Sequence, residues 1–197
     1  MPIGEIERLV TIISRLPGMG ERSAGRIVVH LLKKRNSVVS SLISSLMTIR
    51  ENLRVCSVCG NIDVTPVCSI CSDHKRDADI LCVVTDISDL WSVERSGFYR
   101  GKYHILGGKL SAIDGVRPQD LNIDNLCKRI ESEHVKEVII AVSADLDGQT
   151  TIFFVNDKIK HLGVKVTTLS HGVPVGGELS YLDDGTIITA FNQRRVI

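Results

Sequence analysis

A chain of 197 residues with 43% hydrophobic content can build one or two domains around a sizeable core. No apolar run is long enough to span a membrane and the start shows no signal-peptide pattern, so a cytoplasmic location is expected. Aromatic residues make up only 4%, which excludes base stacking as the dominant route to any nucleic acid. The net charge of +1 is unevenly placed: residues 1–55 hold nine Lys/Arg against four acids, whereas the rest holds fifteen against nineteen. The amino-terminal quarter is therefore the basic end, at +5 against −4.

The first element in chain order is an apolar helix from Ile3 to Leu16. It stops at Pro17, which lacks a backbone donor and disfavours the helical region at the residue before it. Gly18 and Gly20 are expected to make a tight turn with positive φ. A second helix is expected from Ser23 to Lys34. Its first N–H groups lack intrahelical partners, and with the positive end of the helix dipole they form a ready phosphate site. Arg22 and Arg26, four apart, can add charge to the same phosphate. The pattern resembles a helix-hairpin-helix, which binds the DNA backbone without reading sequence. A plainer alternative is a helical hairpin whose glycines only permit close packing.

Six cysteines in an intracellular chain argue for metal rather than disulfides. Cys56-Ser57-Val58-Cys59 and Cys68-Ser69-Ile70-Cys71 each place two thiolates on one knuckle, and two knuckles complete a tetrahedron around one structural Zn²⁺. Gly60 follows the first pair, where a tight knuckle needs room. Two redox dithiols are the competing reading, but neither pair falls between a strand and a helix. A closed four-sulfur shell leaves no open position for catalysis. Cys82 and Cys127 are expected in the core.

From Ile80 onward strands and helices alternate. Strands are expected at Ile80–Val84, Tyr103–Leu106, Val138–Val142 and Val164–Leu169. Helices are expected at Asp86–Gly97, Asn122–Glu133 and Gln149–Leu162. Such alternation implies a largely parallel sheet covered on both faces, with sites at the carboxyl ends of its strands. Two acidic loops fall there, Thr85 to Asp89 and Asp145-Leu146-Asp147. The layout resembles a Toprim domain, in which a Glu after the first strand and an Asp-x-Asp after a later one hold Mg²⁺. Here Thr85 stands in place of the Glu. Asp86 and Asp89 are expected to cap the following helix, and Asp147 the one after it. A catalytic Mg²⁺ site is not expected, because a hard cation needs several converging oxygens.

The order of parts carries a wider resemblance. Leu16 to Leu32, the four paired cysteines, the run from Tyr99 to Ser111 (YRGKYHILGGKLS) and Gly172 to Leu179 (GVPVGGEL) together resemble the bacterial recombination mediator family RecR, over essentially the whole chain. The resemblance implies an α/β chain with a helix-hairpin-helix at 1–54, a four-cysteine zinc finger at 55–78, a Toprim-like domain at 79–171 and a C-terminal segment at 172–197. It implies a DNA-binding repair factor without catalytic turnover, nucleoid-associated when on DNA. Such proteins form a ring, taken to be a tetramer, that can encircle DNA. They act with RecO, and often RecF, to help RecA replace single-strand-binding protein on gapped DNA. Gly18, Gly20, Arg22 and Arg26 would face that DNA, and Asp145 and Asp147 would face a basic partner surface. The family usually carries Glu at Thr85, Thr at Asp145, and Glu at Asp147 and Gln149, so the acidic loops are where this chain departs.

The C-terminal segment is expected to pack on a neighbouring subunit or to complete its own sheet. Two other functions fit parts of the chain: a small Toprim-type nuclease using Mg²⁺ at Asp145 and Asp147, and a zinc-finger adaptor that binds only protein. Thr85 counts against the first and the basic amino-terminal region against the second. No phosphate loop of the G-x-x-x-x-G-K-[ST] type is present, which argues against an ATPase.

Overall fold

The structure is a computed structural model and describes residues 3–170 and 172–194. The chain divides into two compact units, Met1–Leu53 and Arg54–Ile197.

The first unit is helical: α1 (Ile3–Ser14), α2 (Glu21–Lys33), a π-helical turn at Arg35–Val39 and α3 (Ser40–Asn52). The first helix ends earlier than Pro17 alone dictates. Arg15 and Leu16 donate to the carbonyls of Ile12 and Ile13 in tightened turns, at 3.3 and 3.1 Å. Gly18 adopts φ +77°, the left-handed region that a side chain resists. Gly20 does not: it is the N-cap of α2, extended at φ −90° and ψ 165°. The expectation of positive φ at both glycines is corrected, because the residue before a helix needs extended backbone. With the cap at Gly20, the helix starts at Glu21, two residues before the expected Ser23. Packing of α1 against α2 buries Ala24 and Val28, and α3 buries no residue.

The second unit opens with a small finger. Its β1 (Arg54–Val55) pairs antiparallel with β2 (Ile62–Asp63), and the short α4 (Ser69–Ser72) follows. Beyond it lie β3 (Asp77–Val84), α5 (Ile87–Ser96), β4 (Gly101–Ile105), α6 (Ile123–Glu133), β5 (Glu137–Ala141), α7 (Leu146–Ile159) and β6 (Lys165–Thr168). The sheet is parallel throughout, in the order β4-β3-β5-β6. Alternation along β3 sends side chains to opposite faces. Leu81 and Val83 join Leu126, Ile130, Val155 and Ile159 from α6 and α7 in the larger core. Cys82 and Val84 join Tyr103, Ile105 and Leu90 in the smaller one, with Ile70 of the finger packed against it. Cys82 is buried, as expected, and Cys127 packs against the larger core.

The finger is laid along an edge of the sheet. The backbone N–H of Ile105 in β4 donates to the carbonyl of Cys59 at 2.8 Å. Lys102 Nζ, on the same strand, donates to the carbonyls of Ile70, Cys71 and Asp73 at 3.1, 2.8 and 2.8 Å. Those carbonyls end α4, where a helix leaves acceptors unpaired and a cation is favoured. All five residues of β4 are consequently buried although it is an edge strand.

The C-terminal segment forms a 3₁₀ turn at Leu179–Tyr181 and α8 (Asp184–Asn192). It adds no strand among the described residues, so the expectation that it completes its own sheet is corrected. None of the described residues from 172 to 194 is buried, and Val175, Tyr181, Ile188 and Phe191 stand exposed.

Candidate functional site

Three constellations carry chemistry. The first is the amino-terminal end of α2. Gly20 supplies no side-chain cap there, so the first-turn N–H groups face outward with nothing laid over them by the cap. Arg22 and Arg26 are both exposed on the same side of the helix. That side continues as a shallow cleft lined by Arg22, Gly25, Arg26, Val29, His30 and Lys33. His30 and Lys33 are not among the sequence-predicted residues. Helical spacing could have found them, since residues 22, 26, 30 and 33 fall on one stripe. The arrangement is a basic ridge that begins at a positive helix end, suited to an anionic backbone.

The second constellation is the finger. The Sγ atoms of Cys56, Cys59, Cys68 and Cys71 all lie within 4.8 Å of one another. Cys59 Sγ and Cys68 Sγ are 3.6 Å apart. Backbone N–H groups already aim at the sulfurs: Asn61 N–H donates to Cys59 Sγ at 3.4 Å and Cys68 N–H to Cys56 Sγ at 3.3 Å. Gly60, at φ +82°, closes the first knuckle in the left-handed conformation. Contact with the Cys59 thiol, aided by the buried Arg129 guanidinium, draws the Cys71 thiol down to about 6. The same contact and burial push Cys59 upward. Four soft donors converging in a buried knuckle fit a tetrahedral Zn²⁺ with no coordination position left over.

The third constellation is the carboxyl end of the sheet. Thr85 follows β3 directly. Asp86 then caps α5, accepting from the N–H groups of Ser88 at 2.7 Å and Asp89 at 3.3 Å, while Asp89 accepts from the Asp86 N–H at 3.3 Å. This reciprocal capping box is what the sequence leads one to expect of the two acids. After β5, the cap of α7 is Asp145, which accepts from the Gly148 N–H at 2.7 Å. Asp147 lies in the first turn, so the expectation that it is the cap is corrected. Capping at 145 also moves the helix start from the expected Gln149 to Leu146.

A lysine reaches between these loops. Lys109, from the segment after β4, places Nζ 2.5 Å from Asp145 Oδ2 and 3.1 Å from Ser143 Oγ. Its ammonium, with the Gly148 N–H, holds the Asp145 carboxyl below the usual carboxylate range. Asp145 and, more weakly, Asp147 and Asp89 hold the lysine above its ordinary value. The strand-end cleft is lined by Thr85, Asp86, Asp89, Lys109, Ser143 and Leu169, among others.

Fold and site together define a Toprim-fold protein that carries a helix-hairpin-helix and a four-cysteine finger. Family models match in the same order: the RecR helix-hairpin-helix at residues 6–50, the RecR four-cysteine zinc finger domain at 53–73, the Toprim domain at 79–170 and the RecR C-terminal model at 172–195. The chain is 50% identical to the recombination protein RecR of Parvibaculum lavamentivorans, over 97% of this chain and 96% of that one. It is 49% identical to that of Rhodospirillum rubrum over the full length of both, and 48% identical to that of Bartonella bacilliformis over 96% and 94%. The chain belongs to the RecR family of recombination proteins.

Proposed function

We propose that this chain is a non-catalytic DNA-binding factor of recombinational repair in the cytoplasm. On this reading the chain forms a ring, taken to be a tetramer, that closes as a clamp around DNA and acts with RecO, and with RecF where present, to help load RecA on gapped or single-stranded DNA. The observation that carries the DNA contact is the coincidence, at one exposed helix end, of an uncapped Gly20 with Arg22 and Arg26. Backbone N–H groups and two guanidinium groups there address phosphate, which every sequence presents alike.

Cys56, Cys59, Cys68 and Cys71 hold one structural Zn²⁺ per chain, and the closed shell keeps it out of any reaction. Gly172 to Arg194, with its exposed Val175, Tyr181 and Phe191, suits an arm that packs on a neighbouring copy. The acidic loop at Asp145 and Asp147 is the partner-facing part of the sheet, with Asp147 carrying the charge that Lys109 leaves uncompensated. The deciding experiment is a salt titration of DNA binding. Arg22→Ala with Arg26→Ala should weaken binding to all sequences equally and flatten the dependence on log salt by about 0.7–0.9 per lost phosphate contact. Unchanged binding at several salt concentrations would remove the hairpin as the DNA surface. No DNA or RNA cleavage should appear with Mg²⁺ or Mn²⁺.

A further inference from the structure

A Toprim sheet organises its strand ends around Mg²⁺, so the residues present here must be tested for their fit to that ion. They do not fit. Octahedral Mg²⁺ needs oxygen donors converging at about 2.1 Å, several of them anionic. The end of β3 offers Thr85, a neutral hydroxyl. The next acids, Asp86 and Asp89, each commit one carboxylate oxygen to the capping box at the start of α5. One oxygen of Asp145 caps α7 and the other meets the ammonium of Lys109. An ammonium has no lone pair to give a metal and repels a dication.

The lysine also occupies the place where a cation is electrostatically useful. Its ammonium contacts the Asp145 carboxylate, and the strand-end carboxylates of Asp147 and Asp89 act on it electrostatically from further off. Its hydrogen bonds to Asp145 and Ser143 join the segment after β4 to the loop after β5, which are separate chain segments. A divalent ion shared between strand-end loops would make the same kind of link.

We infer that Lys109 stands in for the divalent cation of the Toprim site, so that this face is closed by a covalently attached positive charge and is organised without Mg²⁺. Recognition through this face is then indifferent to divalent ions. The acidic loop keeps its shape but presents less negative charge than its carboxylates alone would give. The inference does not depend on the clamp reading, because its test is made on free protein.

The test is Mn²⁺ binding followed by electron paramagnetic resonance on zinc-loaded, full-length protein. Wild type and Lys109→Arg should leave Mn²⁺ free at millimolar concentration. Lys109→Met should bind it at least about tenfold more tightly, and Asp145→Asn in that background should abolish the gain. Millimolar Mg²⁺ should raise the melting temperature of Lys109→Met and leave wild type unmoved. Lys109 is partly exposed, so the substitution leaves the core untouched, and Lys109→Gln repeats the test with a different neutral side chain. Two results overturn the inference. One is Mn²⁺ binding by wild type that Asp145→Asn removes. The other is no gain in either neutral variant, which would show that the lysine is not what fills the place. DNA binding serves as an independent readout: its loss in Arg22→Ala with Arg26→Ala leaves this inference standing.

Discussion

The helical unit and the sheet unit are both rich in apolar residues but bury them differently. In Met1–Leu53 only Ala24 and Val28 are buried among the described residues, while Leu16, Leu32, Ile43, Leu46 and Met47 stand exposed. In Arg54–Ile197 two sheet faces and the finger each have a buried cluster. A helical hairpin with so small a core gains little from packing on itself, because most helix stability in proteins comes from burying an apolar face. The sheet unit buries its apolar side chains internally, whereas the helical unit leaves most of its own exposed. That division fits the proposed reading, in which the basic end binds DNA.

The sharpest way to break the comparison is to remove the metal. Cys71→Ser, or chelation of freshly purified protein, should abolish stoichiometric zinc and unfold the finger, since zinc supplies about 10–16 kcal/mol of apparent binding energy in comparable small fingers. Because β4 is hydrogen-bonded to the finger through Ile105 and Lys102, the loss should spread into the sheet. Cys82→Ser should leave the metal content unchanged. Metal analysis with a melt on each variant checks this. If the sheet melted unchanged after zinc loss, the finger would be an appendage and the sheet unit less unified than its contacts imply.

Lys102→Met sharpens the same point without touching a ligand. It removes the one donor group shared by three carbonyls, and a buried acceptor left without a partner costs about 1–3 kcal/mol. We expect an overall loss of about 3 kcal/mol in denaturant midpoint experiments, with zinc still bound but released faster to a chelator. Equal stability of the variant and wild type would mean that water takes over all three acceptors.

His104 gives the sheet unit a pH dependence. The ring is fully buried, its Nε2 lies 2.7 Å from the Asn122 carbonyl, and its Nδ1 has no partner. Burial lowers its pKa from 6.5 to about 4. The unfolded chain therefore binds a proton that the folded one refuses in this window. Stability from this group is present above about 6.5 and is lost as pH falls towards about 4, by roughly 3 kcal/mol in all. His104→Gln keeps a donor for Asn122 and should show a flatter profile from pH 6.5 to 4 in urea melts. An identical slope in both proteins would place the pH dependence elsewhere.

Legibility in the sequence follows the range of the interaction that decides each feature. The four cysteines are legible because each pair lies on one turn, and the Asp86–Asp89 capping box because its partners are three residues apart. At the start of α7 the sequence favours Asp147 and the structure uses Asp145, two caps that differ only in which N–H each can reach once the loop is folded. Gly20 looks like a second left-handed turn residue because sequence shows the absence of a side chain but not which φ it serves. Lys102 and Lys109 lie in the run that carries the family resemblance, but nothing in that run shows what either one contacts. A lysine reads as surface until the carbonyls of α4 or the carboxylate after β5 are brought to it by distant parts of the chain. The third helix carries Leu42, Ile43, Leu46 and Met47 at helical spacing, but no side chain caps its start and none of its residues is buried.

The smallest expected effect probes the helical unit and leaves the sheet untouched. If the basic ridge of α2 acts as one surface, its far end should matter as well as its start. Arg22 to Lys33 spans about 16 Å of helix, enough to meet more than one phosphate of a strand. Lys33→Ala should therefore weaken DNA binding only severalfold at moderate salt, and lower the salt slope by about 0.9 on duplex or about 0.7 on single strand. Lys34 is outside the residues that line the cleft, so Lys34→Ala is the matched control with the same charge change. Both variants should melt like wild type, because neither residue is buried. Equal losses from Lys33→Ala and Lys34→Ala would mean that the unit acts through its overall positive charge. A loss confined to Lys33 would assign the contact to one helix face. In either case, retained zinc and an unchanged His104 profile would show that the sheet unit is indifferent to what the helical unit binds.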